Sequence, residues 1–150
     1  MKKNITIILS ILVLTFLGFA FTNSEIDKSE DSAGIQFFDG TWEEALVKAK
    51  KENKLIFVDA YAVWCGPCKI LAKKYFTKEN VGKYYNASFI NYKMDMEKDK
   101  NGPRLSGKWG LRAYPTLYFV NIDESVVHSS VGLIDDKALL KIASIAKSKQ

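Results

Sequence analysis

The run Leu55-Ile56-Phe57-Val58-Asp59-Ala60 places the tightest constraint on how this chain can fold. It is short, rich in branched and aromatic residues, and does not alternate apolar with polar positions. It therefore reads as a β-strand covered on both faces and central in a sheet. Such a strand needs a layer of helices on each side. Directly after it come Cys65-Gly66-Pro67-Cys68-Lys69 and a helical pattern reaching Phe76, with Ile70, Leu71 and Ala72 inward and Lys69, Lys73 and Lys74 outward. The chain's only 2 cysteines thus stand where a buried strand gives way to a helix.

The surrounding pattern supplies the layers. Thr41-Trp42-Glu43-Glu44 has the form of a capping box, followed by an apolar stripe of Trp42, Ala45, Leu46 and Ala49 and a stop at Asn53. A short helix is expected over 78–85 and a strand over 87–95. Another short helix over 104–109 follows Pro103 and closes at Gly110. The runs 116–121 and 125–131 are close enough for an antiparallel hairpin, and 135–147 is amphipathic, with Ala138, Leu139, Ile142 and Ile145 on one face. Ile35 to Phe38 can add an edge strand. The solution is an α/β fold with a central mixed β-sheet flanked by helices over 35–150. With 47% apolar and 13% aromatic residues the domain can bury a core without disulfide staples or a structural metal. The cysteines need another explanation.

The first residues do not belong to that domain. Lys2 and Lys3 precede an uncharged stretch from Asn4 to Ser24, densely apolar from Ile5 to Phe21, with a small-x-small site at Gly18-Phe19-Ala20. Residues 1–22 read as a secretory signal peptide or an uncleaved N-terminal membrane anchor, and 23–34 as a flexible linker. Either way the domain is expected to be exported, to a bacterial periplasm or the extracytoplasmic face of the membrane. The net charge of +5 does not indicate nucleic acid. Two of the positive charges lie in the leader, and the remaining lysines alternate with Glu and Asp instead of forming a basic stripe.

A Cys-x-x-Cys pair at a strand-to-helix junction puts the first thiol at the helix N-terminus, where free backbone N–H groups and the helix dipole favour a thiolate. Cys65 is accordingly the expected nucleophile and the more exposed thiol. Cys68, about one turn on, is placed to attack a mixed disulfide at Cys65. Zinc would need four ligands, and the single other soft ligand, His128, is remote and reads as an exposed strand residue. A purely structural disulfide would close too small a loop to stabilise much. A redox pair needing no cofactor and no metal is the reading that remains.

The segment from Val58 to Lys69, with its Trp64-Cys65-Gly66-Pro67-Cys68 core, resembles the active site of the thioredoxin family, and Gly110 to Thr116 is similar to that family's cis-proline segment. Gly132 falls where the family often has a glycine after its last strand, and the likeness runs from about Phe37 to Ile145. It resembles most the exported thioredoxin-like domains of thiol:disulfide interchange systems. The resemblance implies the thioredoxin fold and a thiol-disulfide oxidoreductase acting on protein disulfides, supplied by a membrane-borne dithiol donor. It implies that Asp59 relays a proton to the resolving thiol, as a carboxyl in apolar surroundings can. Trp64, Tyr114 and Pro115 would bind substrate, with the Tyr114–Pro115 bond cis. Lys93 could pair with Asp59 or be an ordinary exposed lysine. Ala60 and Val63 depart from residues common in cytosolic thioredoxin, so its partner surface does not carry over. The inner dipeptide Gly66-Pro67 favours a reductant. A disulfide donor or isomerase, and a binding or chaperone module without redox turnover, stay open.

Overall fold

The computed structural model describes residues 33–150, so the expectations for 1–22 and for 23–32 lie outside the described residues. In chain order the elements are α1 (Trp42–Glu52), β1 (Leu55–Tyr61), α2 (Gly66–Ile70) running into a π turn (Leu71–Tyr75), and α3 (Glu79–Ser88). Then come β2 (Phe89–Asp95), α4 (Gly102–Trp109), β3 (Thr116–Val120), β4 (Val126–Val131) and α5 (Asp136–Lys147). The sheet order is β2-β1-β3-β4. β1 runs parallel to β2 and antiparallel to β3, and β3 pairs antiparallel with β4 as the hairpin spacing predicts. Among the described residues no helix is long and apolar enough to cross a membrane.

β1 is buried from Leu55 to Ala60, and its two faces serve two separate cores. Ile56, Val58 and Ala60 pack with Trp42, Ala45, Ala49, Leu105 and Trp109, under α1 and α4. Leu55 and Phe57 pack with Leu71, Phe76, Tyr85, Phe119 and Leu139, under the α2 segment, α3 and α5. Phe57 is central there, with ring centroids 4.7 Å from Tyr85, 5.3 Å from Phe119 and 6.0 Å from Phe76. Each such side chain contributes about 1.5–3 kcal/mol through removal from water. The strand is therefore pinned from both sides.

Local chemistry explains the ends of α1. The Thr41 hydroxyl accepts from the Glu44 N–H at 3.2 Å and the Glu44 carboxylate accepts from the Thr41 N–H at 2.7 Å. Asn53 closes the helix in the left-handed region at φ 50°. The helix after Cys65 differs from its pattern. The Phe76 N–H donates to the Leu71 carbonyl, five residues back, at 3.0 Å. In a regular α-helix residues five apart point about 140° from each other. The wider turn brings both Leu71 and Phe76 into the core, at 0% and 3% exposure, and leaves Ile70, expected inside, 47% exposed.

Ile35 to Phe38 does not form an edge strand. It is an extended arm held by scattered bonds: Ile35 N–H to the Phe76 carbonyl at 2.7 Å, Phe38 N–H to the Asn91 carbonyl at 2.7 Å, and the Asn91 amide to the Gln36 carbonyl at 3.2 Å. Gly34, at the end of the expected linker, is itself packed. Its carbonyl accepts from Asn86 at 3.0 Å, and a Cβ on Gly82 would collide with its backbone.

The β3–β4 turn is fixed by one side chain. Glu124 takes φ 64°, unusual for a non-glycine residue. Its carboxylate, only 12% exposed, accepts both guanidinium nitrogens of Arg104 at 2.7 Å, Lys108 at 3.0 Å and the Trp42 indole at 2.9 Å. These bonds, Arg104's first, hold its carboxyl down at about 2, against a normal 4.5. A depressed carboxyl contributes stability above its unfolded value and loses it as pH falls through the folded one. Glu124→Gln should therefore cost about 1–3 kcal/mol at pH 7, with the deficit shrinking as pH drops from about 4.5 to 2. Urea unfolding across that range checks this, and a deficit independent of pH would be the wrong result.

Candidate active site

Cys65 is the N-cap of α2, with φ −69° and ψ 110°, and Cys68 lies within the helix's first turn. The two form a disulfide, with sulfurs 2.02 Å and Cα atoms 5.4 Å apart. The Cys68 N–H donates to the Cys65 sulfur at 3.1 Å. That N–H is one of the donors a helix leaves without an internal partner, so it is oriented to stabilise negative charge on Cys65. Exposure does not separate the two sulfur residues, contrary to the expectation from sequence. In this oxidised form Cys65 is 2% and Cys68 4% exposed.

Asp59 projects from β1 on the same face as Phe57 and is 1% exposed. Parallel register sets it opposite Lys93 on β2, whose ammonium lies 2.6 Å from Oδ2. Oδ1 is buried and has no protein hydrogen-bond partner among the described residues. Burial pushes the Asp59 carboxyl above the usual carboxylate range, and the charge of Lys93 and its hydrogen bond oppose that rise without cancelling it. A cavity of about 220 Å³ is lined by Tyr61, Ala62, Val63, Cys68, Lys69, Ala72 and Lys93. It runs from Cys68 to the ammonium that touches Asp59. Which partner Lys93 takes was open in the sequence because strand register is a long-range property, here linking residues 34 apart.

Trp64 is 65% exposed and meets Tyr114 edge-on at 5.7 Å between centroids. Its indole donates to both Glu97 carboxylate oxygens, at 3.1 and 3.0 Å. The sequence reading gave Glu97 no role; its one signal was its place in the charged loop after Met94. Tyr114 packs against Ala62, Cys65 and Cys68, and the Tyr114–Pro115 bond is cis. The Gly132 N–H donates to the Pro115 carbonyl at 2.8 Å, bringing the end of β4 to the same rim. A second hollow, of about 330 Å³, lies between Trp64, Tyr114, Leu111 and Arg112. The six residues expected at the site thus occupy one end of the sheet, Asp59 from beneath.

The raised carboxyl of Asp59 has a consequence for stability. A group whose folded value lies above its unfolded one contributes stability at low pH and loses it as pH rises through the folded value. Asp59→Asn should therefore be more stable than wild type at pH 8, by about 1–3 kcal/mol, with the gap closing toward pH 4. Denaturant unfolding of the oxidised proteins measures it. A wild type as stable as the variant at pH 8 would contradict the burial argument.

Comparison with known proteins agrees with this geometry. The family model for Thioredoxin matches residues 34–144. Thioredoxin H-type 2 of Nicotiana tabacum is 34% identical over 102 residues, 68% of this chain and 80% of its own length. Thioredoxin H4 of Arabidopsis thaliana is 33% identical over 101 residues, covering 67% and 79%. Among solved structures, a proposed disulphide-isomerase from Bacteroides thetaiotaomicron superposes with a TM-score of 0.69 at 44% identity, over 79% of this chain and 98% of that one. The central strand, the helix-end disulfide and the cis-proline rim have the same explanation as these matches: the chain belongs to the thioredoxin family and is a thiol-disulfide oxidoreductase.

Proposed function

We propose that this protein reduces protein disulfides outside the cytoplasm and is itself kept reduced by a dithiol donor at the membrane. The observation that carries the direction is Gly66-Pro67 between the cysteines, the thioredoxin dipeptide. The apolar leader supports the compartment. In the forward step the Cys65 thiolate attacks one sulfur of a substrate disulfide. A Cys65–substrate disulfide forms, the substrate S–S bond breaks, and the departing thiolate takes a proton from solvent. Asp59, as carboxylate, then accepts the Cys68 proton by way of the cavity beside Lys93. The Cys68 thiolate attacks the Cys65 sulfur and the Cys65–substrate bond breaks. The second substrate sulfur leaves as a thiolate and takes up a proton as Asp59 gives its own back, and the pair closes as the disulfide found here. Trp64, Tyr114 and Pro115 form the rim against which an extended substrate strand lies.

One observation favours a second reading, donor or isomerase, namely the likeness to the proposed disulphide-isomerase of Bacteroides thetaiotaomicron. Redox potential distinguishes them. Thioredoxin lies near −270 mV, protein disulfide isomerase near −180 mV and the oxidant DsbA near −120 mV. Equilibration in glutathione buffers should give a value below about −230 mV, and one above about −180 mV would assign the isomerase or donor role. Cys65→Ala should abolish insulin reduction, and Cys68→Ala should accumulate substrate in mixed disulfide with Cys65. Turnover by Cys65→Ala at the wild-type rate would remove the enzymatic mechanism. N-terminal sequencing of the mature, membrane-fractionated protein tests the leader: Phe21 first for a cleaved signal, Met1 for an anchor.

A further inference from the structure

The Lys93 ammonium has more around it than its carboxylate partner. It lies over three aromatic rings, 4.6 Å from the centroid of Tyr61, 5.1 Å from Phe37 and 5.8 Å from Phe76. Each ring comes from a different part of the fold: Tyr61 ends β1, Phe37 belongs to the N-terminal arm, and Phe76 follows the π turn. The Lys93 side chain is one-third exposed, so its stem and head are free to swing toward water unless something holds them. A ring face within about 6 Å attracts an ammonium by about 0.5–2 kcal/mol, most where water is partly excluded. Phe37 and Phe76 also brace each other at 5.6 Å between centroids, which keeps their positions fixed.

We propose that Phe37, Phe76 and Tyr61 form an aromatic seat that fixes the Lys93 ammonium on Asp59 Oδ2, and that this seat thereby sets the pH at which Asp59 gives up its proton. The idea rests on the proton-relay reading of Asp59 for its catalytic meaning, but not for its effect on Asp59 itself. These are positioning residues, acting through Lys93. Among the described residues Lys93 is the one protein donor to the Asp59 carboxyl, at Oδ2, so the placement of that ammonium governs how costly the carboxylate is. The other charged or titrating groups nearby are few. Tyr61 lies within reach of both Asp59 and Asp95, and its hydroxyl is pushed up chiefly by burial. Across the cavity stand Lys69 and the cysteine pair on α2. Lys73 and Lys74 of the π turn are exposed. None of these is carried by the arm, so Phe37 can be changed without changing charge.

Carbon-13 NMR titration of the Asp59 carboxyl in the full oxidised domain tests the seat directly, in wild type, Lys93→Met, Phe37→Leu and Phe76→Leu. Leucine keeps most of the buried volume and removes the ring face. Lys93→Met should raise the Asp59 midpoint by about one pH unit or more. Each phenylalanine variant should raise it in the same direction by a smaller step, and Phe37→Leu added to Lys93→Met should produce no further shift. An Asp59 midpoint unchanged in both phenylalanine variants, whatever their loss of thermal stability, overturns the proposal, as does an unchanged midpoint in Lys93→Met. The relay itself fails on a different result: Asp59→Asn resolving the mixed disulfide at the wild-type rate. If the relay holds, the pH profile of that resolving step moves with the NMR midpoint.

Discussion

A carboxylate on a strand with no solvent face is the constraint around which this molecule is arranged. β1 is apolar on both sides because it sits in the middle of the sheet, and Asp59 is the polar exception within its buried stretch. Burying that group without a partner would be prohibitive in its charged form. Parallel pairing with β2 supplies the partner, since the same register that lines up Leu55 with Phe89 lines up Asp59 with Lys93. Among the described residues the ammonium meets this carboxyl at Oδ2 alone. Burial raises this carboxyl above the usual carboxylate range, and the ammonium opposes that rise.

The rest of the site is assembled from segments that β1 brings together. Its C-terminal end delivers Cys65 to the start of α2. The antiparallel β3 begins at the same end, directly after Pro115. The end of β4 follows through the bond between Gly132 and Pro115. At the opposite end of β3, Glu124 ties the turn to α1 and α4 through Trp42, Arg104 and Lys108. The cysteine pair thus sits at one end of the central strands and a charge-dense clamp at the other, and the rigid strand between them holds both.

Much of this was legible in the sequence because it depends on neighbours in the chain. The capping box at Thr41, the stop at Asn53, the buried strand and the helix-end position of Cys65 are each encoded within a few residues. What escaped depends on approach across the fold. Lys93 could not be assigned without the register, and Glu97 reaches Trp64 over 33 residues. The arm at Ile35 to Phe38 has the composition of an edge strand, yet it pairs through the Asn91 side chain and scattered backbone groups. The π turn was invisible because its cause is the pair Leu71 and Phe76, both wanted by the same core at a spacing that a regular helix would separate.

The central position of β1 also governs how the chain must reach this structure. Its two sheet partners begin at Phe89 and Thr116, so neither exists when β1 first leaves the machinery that makes it. Pairings that distant close large loops before they are rewarded, which slows folding. In the interval, Leu55-Ile56-Phe57-Val58 is an uncharged stretch free of proline with strong strand propensity, the composition that self-associates most readily. Lys50, Lys51 and Lys54 stand immediately before it. Their like charges outnumber that of Glu52 and repel a second copy of the nascent chain at the moment when the segment that will carry Asp59 is most exposed to aggregation.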